Sequence, residues 1–598
     1  MIQLVIEYWN LFVSLPAGRQ VGIWLLVIIM KYFFLVLITL FIFPSIIFAT
    51  PPNNKFGISL AQPNTDQFIE VKNLVNSNGG NWGYVTLIIE EKDRNVKKWQ
   101  GIFDHLRTLH LIPIIRLATS AEGENWRRPE TKDAEGWVSF LNSLNWVTKN
   151  RYVILFNEPN HGSEWGGEVD AKNYAKVVLE FAKKLKEKNK DFFVMLAGLD
   201  ASAPSSTPGL EDEKAFLQGL TLQEGQTLWS YIDGLASHSY PNPAFAGSPY
   251  AVGRGTVRTY EWELALLKEL GMTKELQVFI TETGWKRSSY GLGVRSYLGE
   301  ETVANYFQAA FNDVWLPDDR VWAVTPFVFD YQGEPFLEFS WKLPTSVTIS
   351  ARSYKDSEFY QQYYTVQAMS KIKGEPEIIE KGWINFKLPT DLVVQSTYHF
   401  KIKLNNDGQA VWDKDDSYGL GVRGYGREKT NYIFDDLKDV KPFDEKDIYF
   451  TLKTNDDLGS KKIKFFLEKN GKNILESNQW NINILPLPSL KFQTSFFPFG
   501  EGRGGDYEIQ IFDIDDKLVF KKKNLSVKQG IGELKNIQNI ALDELYRIVL
   551  IKPYHLPRQE FNVFKKDNNQ IKFKSLLPFD LNNDGTFNFR DITSIFKK

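Results

Sequence analysis

Between Lys55 and Lys371 the chain alternates short apolar runs with amphipathic stretches, eight of each. The runs lie at 56–60, 84–90, 112–117, 152–156, 192–196, 232–237, 276–280 and 321–329. They show little of the one-in-two polar alternation of a half-exposed strand, so they predict strands buried on both faces, as in a parallel sheet. The intervening stretches, 66–75, 96–109, 134–144, 170–190, 211–231, 256–270, 300–314 and 358–369, predict helices. The clearest is 170–190, where Tyr174, Val177, Val178, Phe181, Ala182 and Leu185 recur at steps of three and four while lysines fill the opposite side. Eight such pairs in roughly 315 residues predict a (β/α)8 barrel over 55–370. A doubly wound sheet is the alternative, but it asks for a glycine-rich turn after the first strand. Ser59, Leu60, Ala61, Gln62 and Pro63 offer none.

After Lys371 the helical period gives way to strand alternation punctuated by turn residues. Tyr398 to Leu404 alternates and runs into Asn405, Asn406, Asp407 and Gly408, a turn signal. Further short strands are expected at 448–454, 463–468 and 480–485, spaced as in a β-sandwich over 375–486. The Leu485-Pro486-Leu487-Pro488 stretch predicts a linker, followed by a second β-sandwich-like module over 489–575.

At the other end, 22–49 is apolar apart from Lys31. Read from Met1 it is long enough to be a transmembrane helix. Read from Met30 it becomes a signal peptide: a lysine, an apolar centre, then Ala49, Thr50 and Pro51. Either reading of residues 1–50 predicts a secreted or cell-surface protein whose only membrane contact is this segment.

Composition narrows the chemistry. The formal charge is −2 with no basic tract, which argues against nucleic acid as a partner. There is no cysteine, so thiol catalysis, disulfides and cysteine-bound zinc are excluded. The six histidines form no H-E-x-x-H pattern.

What remains are carboxylates at predicted strand ends. The fourth run ends in Asn157, Glu158 and Pro159, and the seventh in Thr281, Glu282, Thr283, Gly284 and Trp285. Arg116 closes the third run, and His238, Ser239 and Tyr240 follow the sixth. Barrel enzymes place their reacting groups at these C-terminal strand ends, and two opposed carboxyl groups are what cleavage of a glycosidic bond requires.

With N-E-P at 157–159, H-S-Y at 238–240 and T-E-T-G-W at 281–285, the barrel resembles the glycoside hydrolases of clan A, which include cellulases, mannanases and xylosidases. The resemblance covers about half the chain. It implies a retaining glycosidase acting on a β-linked polysaccharide or oligosaccharide, with Glu158 as general acid and then base and Glu282 as nucleophile. It also implies that Asn157 binds the sugar 2-hydroxyl, and it needs no cofactor for catalysis. Arg116 and Tyr240 are candidates to hold Glu282 in its charged form, and His238 is a candidate orienting donor. Trp126, Trp165, Trp285 and Trp341 are candidate sugar-stacking residues in loops at the same barrel end. A carbohydrate-binding surface protein with an inactive barrel is the alternative reading.

The last segment, 576–598, carries a different chemistry. Asp580, Asn582, Asp584, Thr586, Asn588 and Asp591 stand at positions 1, 3, 5, 7, 9 and 12 of a calcium loop, with Gly585 at position 6 where the chain must turn sharply. Asp591 at the last position resembles the dockerin repeat, which implies calcium and a cohesin-type scaffold as partner. A dockerin carries two such loops, and one is present here.

Overall fold

In a computed structural model, residues 54–206, 208–288, 298–344, 358–425 and 432–595 are described. The N-terminal apolar segment lies outside them. No helix among the described residues is long and apolar enough to cross a membrane.

Eight strands neighbour one another in chain order in one parallel sheet: β1 Gly57–Ser59, β2 Gly83–Glu90, β3 Leu111–Ala118, β4 Arg151–Leu155, β5 Phe192–Leu196, β6 Gly234–His238, β7 Gln277–Glu282 and β8 Val321–Val324. A parallel bridge from Phe56 to Val324, with Val324 N donating to Lys55 O at 2.8 Å, brings the last strand to the first and closes the barrel. The strands are β-branched and aromatic runs with almost every position buried, as a sheet covered on both faces requires. Inside it Tyr84, Tyr152, Phe193, Phe279 and Trp322 pack ring against ring at centroid distances of 5.1 to 6.3 Å. The interior is therefore filled, and chemistry is left to the strand ends.

The connecting helices are α1 Phe68–Val75, α2 Val96–Thr108, α3 Ala134–Ser143, α4 Ala171–Lys188, α5 Glu213–Tyr231, α6 Thr259–Glu269, α7 Glu300–Ala310 and α8 Gln361–Ala368. Helix α4 starts where the Asp170 side chain accepts from Asn173 N, and it buries the six residues its period singled out. Helix α5 bends at Gly225, whose φ of 38° is open to glycine at little steric cost. The eighth run stops as a strand at Val324, because Pro326 has no N–H for a ladder.

The chain divides into two compact units. The first holds residues up to Asp93, Ile114–Glu135 and Tyr152–Pro376; the second holds Arg94–Pro113, Gly136–Arg151 and Glu377 onward. Within the second, a four-stranded antiparallel sheet and a five-stranded sheet, antiparallel except where Asp391–Val393 runs parallel to Trp480–Leu485, share one core built on Trp412, Phe450, Phe465 and Trp480. The expected turn at 405–408 is tighter bound than a surface hairpin. Asn406 ends the strand Thr397–Asn406 fully buried, and its amide donates to Ala410 O and Val440 O. The following module is a single eight-stranded sheet with its own core around Tyr507, Ile509, Ile548 and Leu550. A short helix, Phe589–Ile595, ends the described chain.

Candidate active site

The chain leaves β4 through two residues in the left-handed region, Phe156 (φ 74°) and Glu158 (φ 28°). For side-chain-bearing residues this costs on the order of 1 kcal/mol or more each, so the surroundings must impose it. They do: the Phe156 ring packs on Trp165 and Phe181, Glu158 N donates to Gly198 O at 3.2 Å, and His161 N donates to Glu158 O at 2.8 Å.

Glu158 then meets His238 from β6, whose Nδ1 lies 2.7 Å from Glu158 Oε1 and 3.9 Å from Glu282 Oε2. The imidazole is buried, and burial alone would lower its pKa. The negative charge of Glu282 and the hydrogen bond and charge of Glu158 outweigh this and raise it, against opposition from Arg116. The ring fits there because residue 198 is glycine. A Cβ on Gly198 would stand 2.2 Å from His238 Cδ2, closer than any real contact.

Each oxygen of Glu282, at the end of β7, has a donor. Arg116 Nη1 on β3 gives a charge-assisted bond to Oε1 at 2.7 Å, and Tyr240 OH donates to Oε2 at 3.1 Å. Burial first, and then the charges of Glu282 and Glu158, push the Tyr240 phenol well above its usual range, so it remains a donor. The same Arg116 nitrogen donates to Asn157 Oδ1, so the amide carbonyl is committed and the NH2 is the group left to donate. Carboxylate oxygens of Glu158 and Glu282 and a nitrogen of His238 all lie within 4.8 Å of one another. Such a trio can also hold a metal, but Arg116 already places a cation on Glu282, and a second cation there would be repelled.

The structure thus gathers Arg116, Asn157, Glu158, His238, Tyr240 and Glu282 at one end of the barrel. It does not do the same for three of the tryptophans. Trp165, Trp285 and Trp341 are 0, 2 and 1% exposed, so no ring face is left for a sugar. Each is a packing residue instead. The Trp165 indole donates to Asn173 Oδ1 and that of Trp285 to Gly247 O, while Trp341 meets Phe307 at 4.9 Å. Trp126, half-buried on a two-residue strand after β3, keeps some exposure.

Two residues of this neighbourhood have no signal in the sequence pattern. Gly198 reads as an ordinary loop glycine. Glu164 sits on the short 3-10 turn Gly162–Glu164 seven residues beyond Asn157, in the field of Arg116, Glu158 and Glu282. Burial, with Glu158 and Glu282 adding to it against Arg116 and Asn157, pushes its carboxyl up to about 7. Nearby, His161 Nε2 and Asp200 Oδ2 pair at 2.9 Å, which raises the imidazole and lowers the carboxyl.

The C-terminal loop brings together Asp580, Asp584 and Asp591, whose carboxylate oxygens lie within 4.8 Å of one another. Asp580 is buried and its Oδ1 has no hydrogen-bond partner, an orphaned acceptor of the kind a cation satisfies. Gly585 takes φ 84° and donates to Asp580 Oδ2 at 3.0 Å. Asn582 Oδ1 and Asn588 Oδ1 accept from Asp584 N and Arg590 N, while Thr586 N donates to Asp584 Oδ1. The residues present fit a hard cation with oxygen ligands.

No protein-family model matches the chain. No curated protein matches it in sequence. Among solved structures it is similar to a family 51 α-L-arabinofuranosidase from Bifidobacterium longum, at 9% identity and a TM-score of 0.35 over 84% of this chain and 96% of that one. A β-1,4-D-mannanase from Cryptopygus antarcticus gives 13% and 0.31 over 53% and 90%. A family 44 xyloglucanase from Paenibacillus polymyxa gives 11% and 0.30 over 82% and 94%. Identities and scores are low throughout, and the chemistry of the site stands on its own distances.

Proposed function

We propose that this protein is a retaining glycoside hydrolase acting on β-linked polysaccharide or oligosaccharide. The observation that carries the reading is the approach of Glu158 and Glu282 to within 4.8 Å, each with its own set of donors. Retaining enzymes hold their two carboxyl groups about 5 to 5.5 Å apart, whereas inversion needs roughly 6.5 to 9.5 Å to admit a water behind the sugar.

In this reading Glu158 gives its proton to the glycosidic oxygen as that bond breaks, while Glu282 attacks the anomeric carbon and forms a glycosyl ester. Arg116 and Tyr240 hold Glu282 at both oxygens, so its attacking geometry is set before substrate arrives. Ester formation removes the negative charge of Glu282, and Glu158, now a carboxylate, takes a proton from the water that releases the sugar. Two displacements restore the starting configuration. Asn157, its carbonyl committed to Arg116, offers NH2 to the 2-hydroxyl, where a contact that tightens in the transition state lowers the barrier.

The apolar N-terminal segment supports export of this activity to the cell exterior. At the other end, Asp580, Asn582, Asp584, the Thr586 carbonyl, Asn588 and Asp591 would hold calcium and order the terminal segment, the part of the chain suited to docking on a scaffold. Calorimetric titration of the chain with calcium tests this. One equivalent bound by the wild type and none by Asp580→Ala is expected, and equal heats from both would remove the site.

The test of the main reading is the anomer first formed. Proton NMR of a freshly cleaved β-linked oligosaccharide should show the β product, and Glu282→Gln should abolish its release. An α product would remove the retaining mechanism. A wild type that binds glycans without cleaving any would favour a binding protein built on an inactive barrel.

A further inference from the structure

Just past Glu158 the chain presents a second polar pair at the same strand-end rim, and the two-carboxylate mechanism does not use it. His161 Nε2 lies 2.9 Å from Asp200 Oδ2, and the two side chains are 28 and 32% exposed, more open than Glu158 at 20%. The pair is built rather than incidental. Asn160, fully buried, donates to Asp200 O at 3.0 Å and Glu211 O at 3.2 Å and accepts from Asp200 N at 3.2 Å, which ties the turn after β4 to the loop after β5. Asp200 Oδ1 accepts from Ser202 N at 2.8 Å, so Oδ2 is the oxygen left for the imidazole. His161 N donates to Glu158 O at 2.8 Å, and Asp200 forms a parallel backbone bridge with His238, the residue that meets the Glu158 carboxyl. His161 is therefore fixed relative to the acid. Its Nδ1 has no hydrogen-bond partner among the described residues.

We propose that His161 is a specificity-determining residue, donating from Nδ1 to a hydroxyl of the sugar on the leaving side of the cleaved bond. The inference rests on the glycosidase reading. In that reading the attacked sugar lies over Glu282 on β7, with its 2-hydroxyl at Asn157 beside Arg116 on β3. The flank between β4 and β5 is then left to the departing sugar. Glu158 reaches the bridging oxygen from this flank, and a donor carried on the same turn meets the sugar attached to that oxygen. The hydrogen bond to Asp200 raises the imidazole, which favours the ring with a proton on each nitrogen and makes Nδ1 a donor. A substrate whose leaving group is a sugar gains this bond. One whose leaving group is 4-nitrophenol, with no ring hydroxyl, does not.

The test compares two kinds of bond in one molecule. Each probe is the 4-nitrophenyl β-glycoside of a β-1,4-linked trisaccharide of glucose, xylose or mannose. The readout is the ratio of 4-nitrophenyl sugars to free 4-nitrophenol among the first products. The former report a sugar in the leaving position and the latter an aryl group there, and the ratio does not depend on how much of a variant is folded. His161→Ala should lower it by roughly 10- to 100-fold, the loss expected for one hydrogen bond from a charged donor. His161→Gln, which keeps an N–H donor, should stay within a few-fold of the wild type. A ratio unaltered in His161→Ala, even with a lower overall rate, means that the residue only supports the turn and overturns the inference. A glutamine variant shifted as far as the alanine variant overturns it too. A wild type that cleaves no bond in any probe removes the glycosidase reading and this inference together; an active wild type whose variants keep its ratio removes this inference alone.

Discussion

The barrel contains two pairs of glutamates that face each other, and it treats them in opposite ways. At the strand ends, Glu158 and Glu282 are met by His238, Arg116 and Tyr240, and both remain reachable from outside. Between α5, α6 and β6, Glu213 and Glu263 are sealed. Glu213 is 0% exposed, both of its oxygens lack a hydrogen-bond donor, and the nearest cation, Arg254, stands 3.9 Å away. The pair lines a small cavity of about 30 Å³ together with Trp229, whose indole N–H is also unpartnered. Burial raises both carboxyls, Glu213 further through the charge of Glu263. Where the protein supplies donors to both members it keeps a pair ready to react; where Glu213 is left without any, burial favours the neutral form. Two carboxyls close together do not define an active site. Their donors do.

The largest effects should come from exchanging these roles. Glu282→Gln removes the nucleophile and should lower kcat on oligosaccharides by at least ~10⁴-fold. Glu213→Gln, also an acid-to-amide change, should leave kcat within about two-fold. A comparable loss from both would erase the distinction drawn above. Glu158→Gln should fall between them, at roughly 10²- to 10⁴-fold on an unactivated tetrasaccharide. It should lose far less on a 4-nitrophenyl glycoside, whose leaving group needs little protonation. An equal loss on both substrates would deny Glu158 the acid role.

A subtler way to disturb the first pair is through its support. Gly198→Ala would place a methyl group 2.2 Å from the His238 ring and displace Nδ1 from Glu158. A loss on the order of 10- to 100-fold in kcat/KM is expected, together with a lower melting temperature, since the buried ring must be pushed out of its packed position. Unchanged kinetics would show that His238 is not what orients Glu158.

The two pairs also differ in what the sequence reveals. Glu158 and Glu282 each follow an apolar run, and the position of a residue just past a parallel strand is fixed by the fold itself, so their convergence is legible before any coordinates. Glu213 stands in the first turn of a helix behind an Asp212 cap, where an acid is usual on the surface because it meets the positive helix end. Nothing in that local pattern distinguishes a solvated acid from a sealed one, since burial there depends on Glu263, fifty residues away. The tryptophans fail for a related reason. A Trp near a strand end serves a core or a sugar equally well by composition, and Trp165, Trp285 and Trp341 are turned inward by contacts with Tyr174, Tyr306 and Phe307 that no local spacing encodes. Gly198 is silent because its function is to have no side chain.

The smallest effect concerns the sealed pair and reads out in stability. In the unfolded chain these carboxyls titrate near 4.5, and in the folded protein both titrate higher. Between the two values the folded state keeps a proton that the unfolded state has released, so unfolding becomes easier as pH rises. The stabilising contribution is complete below about pH 4.5 and is lost as pH rises through the folded value. Glu213→Gln removes one of the two titrations and gives Glu263 an amide N–H to accept from. Thermal melts of the wild type and the variant should therefore coincide near pH 4.5 and diverge above it, the variant melting higher by roughly 2–4 °C at pH 8. A difference that is constant across this range, or that grows toward low pH, would mean that the cavity holds its acids charged, and the contrast between the two pairs would collapse into one of exposure alone.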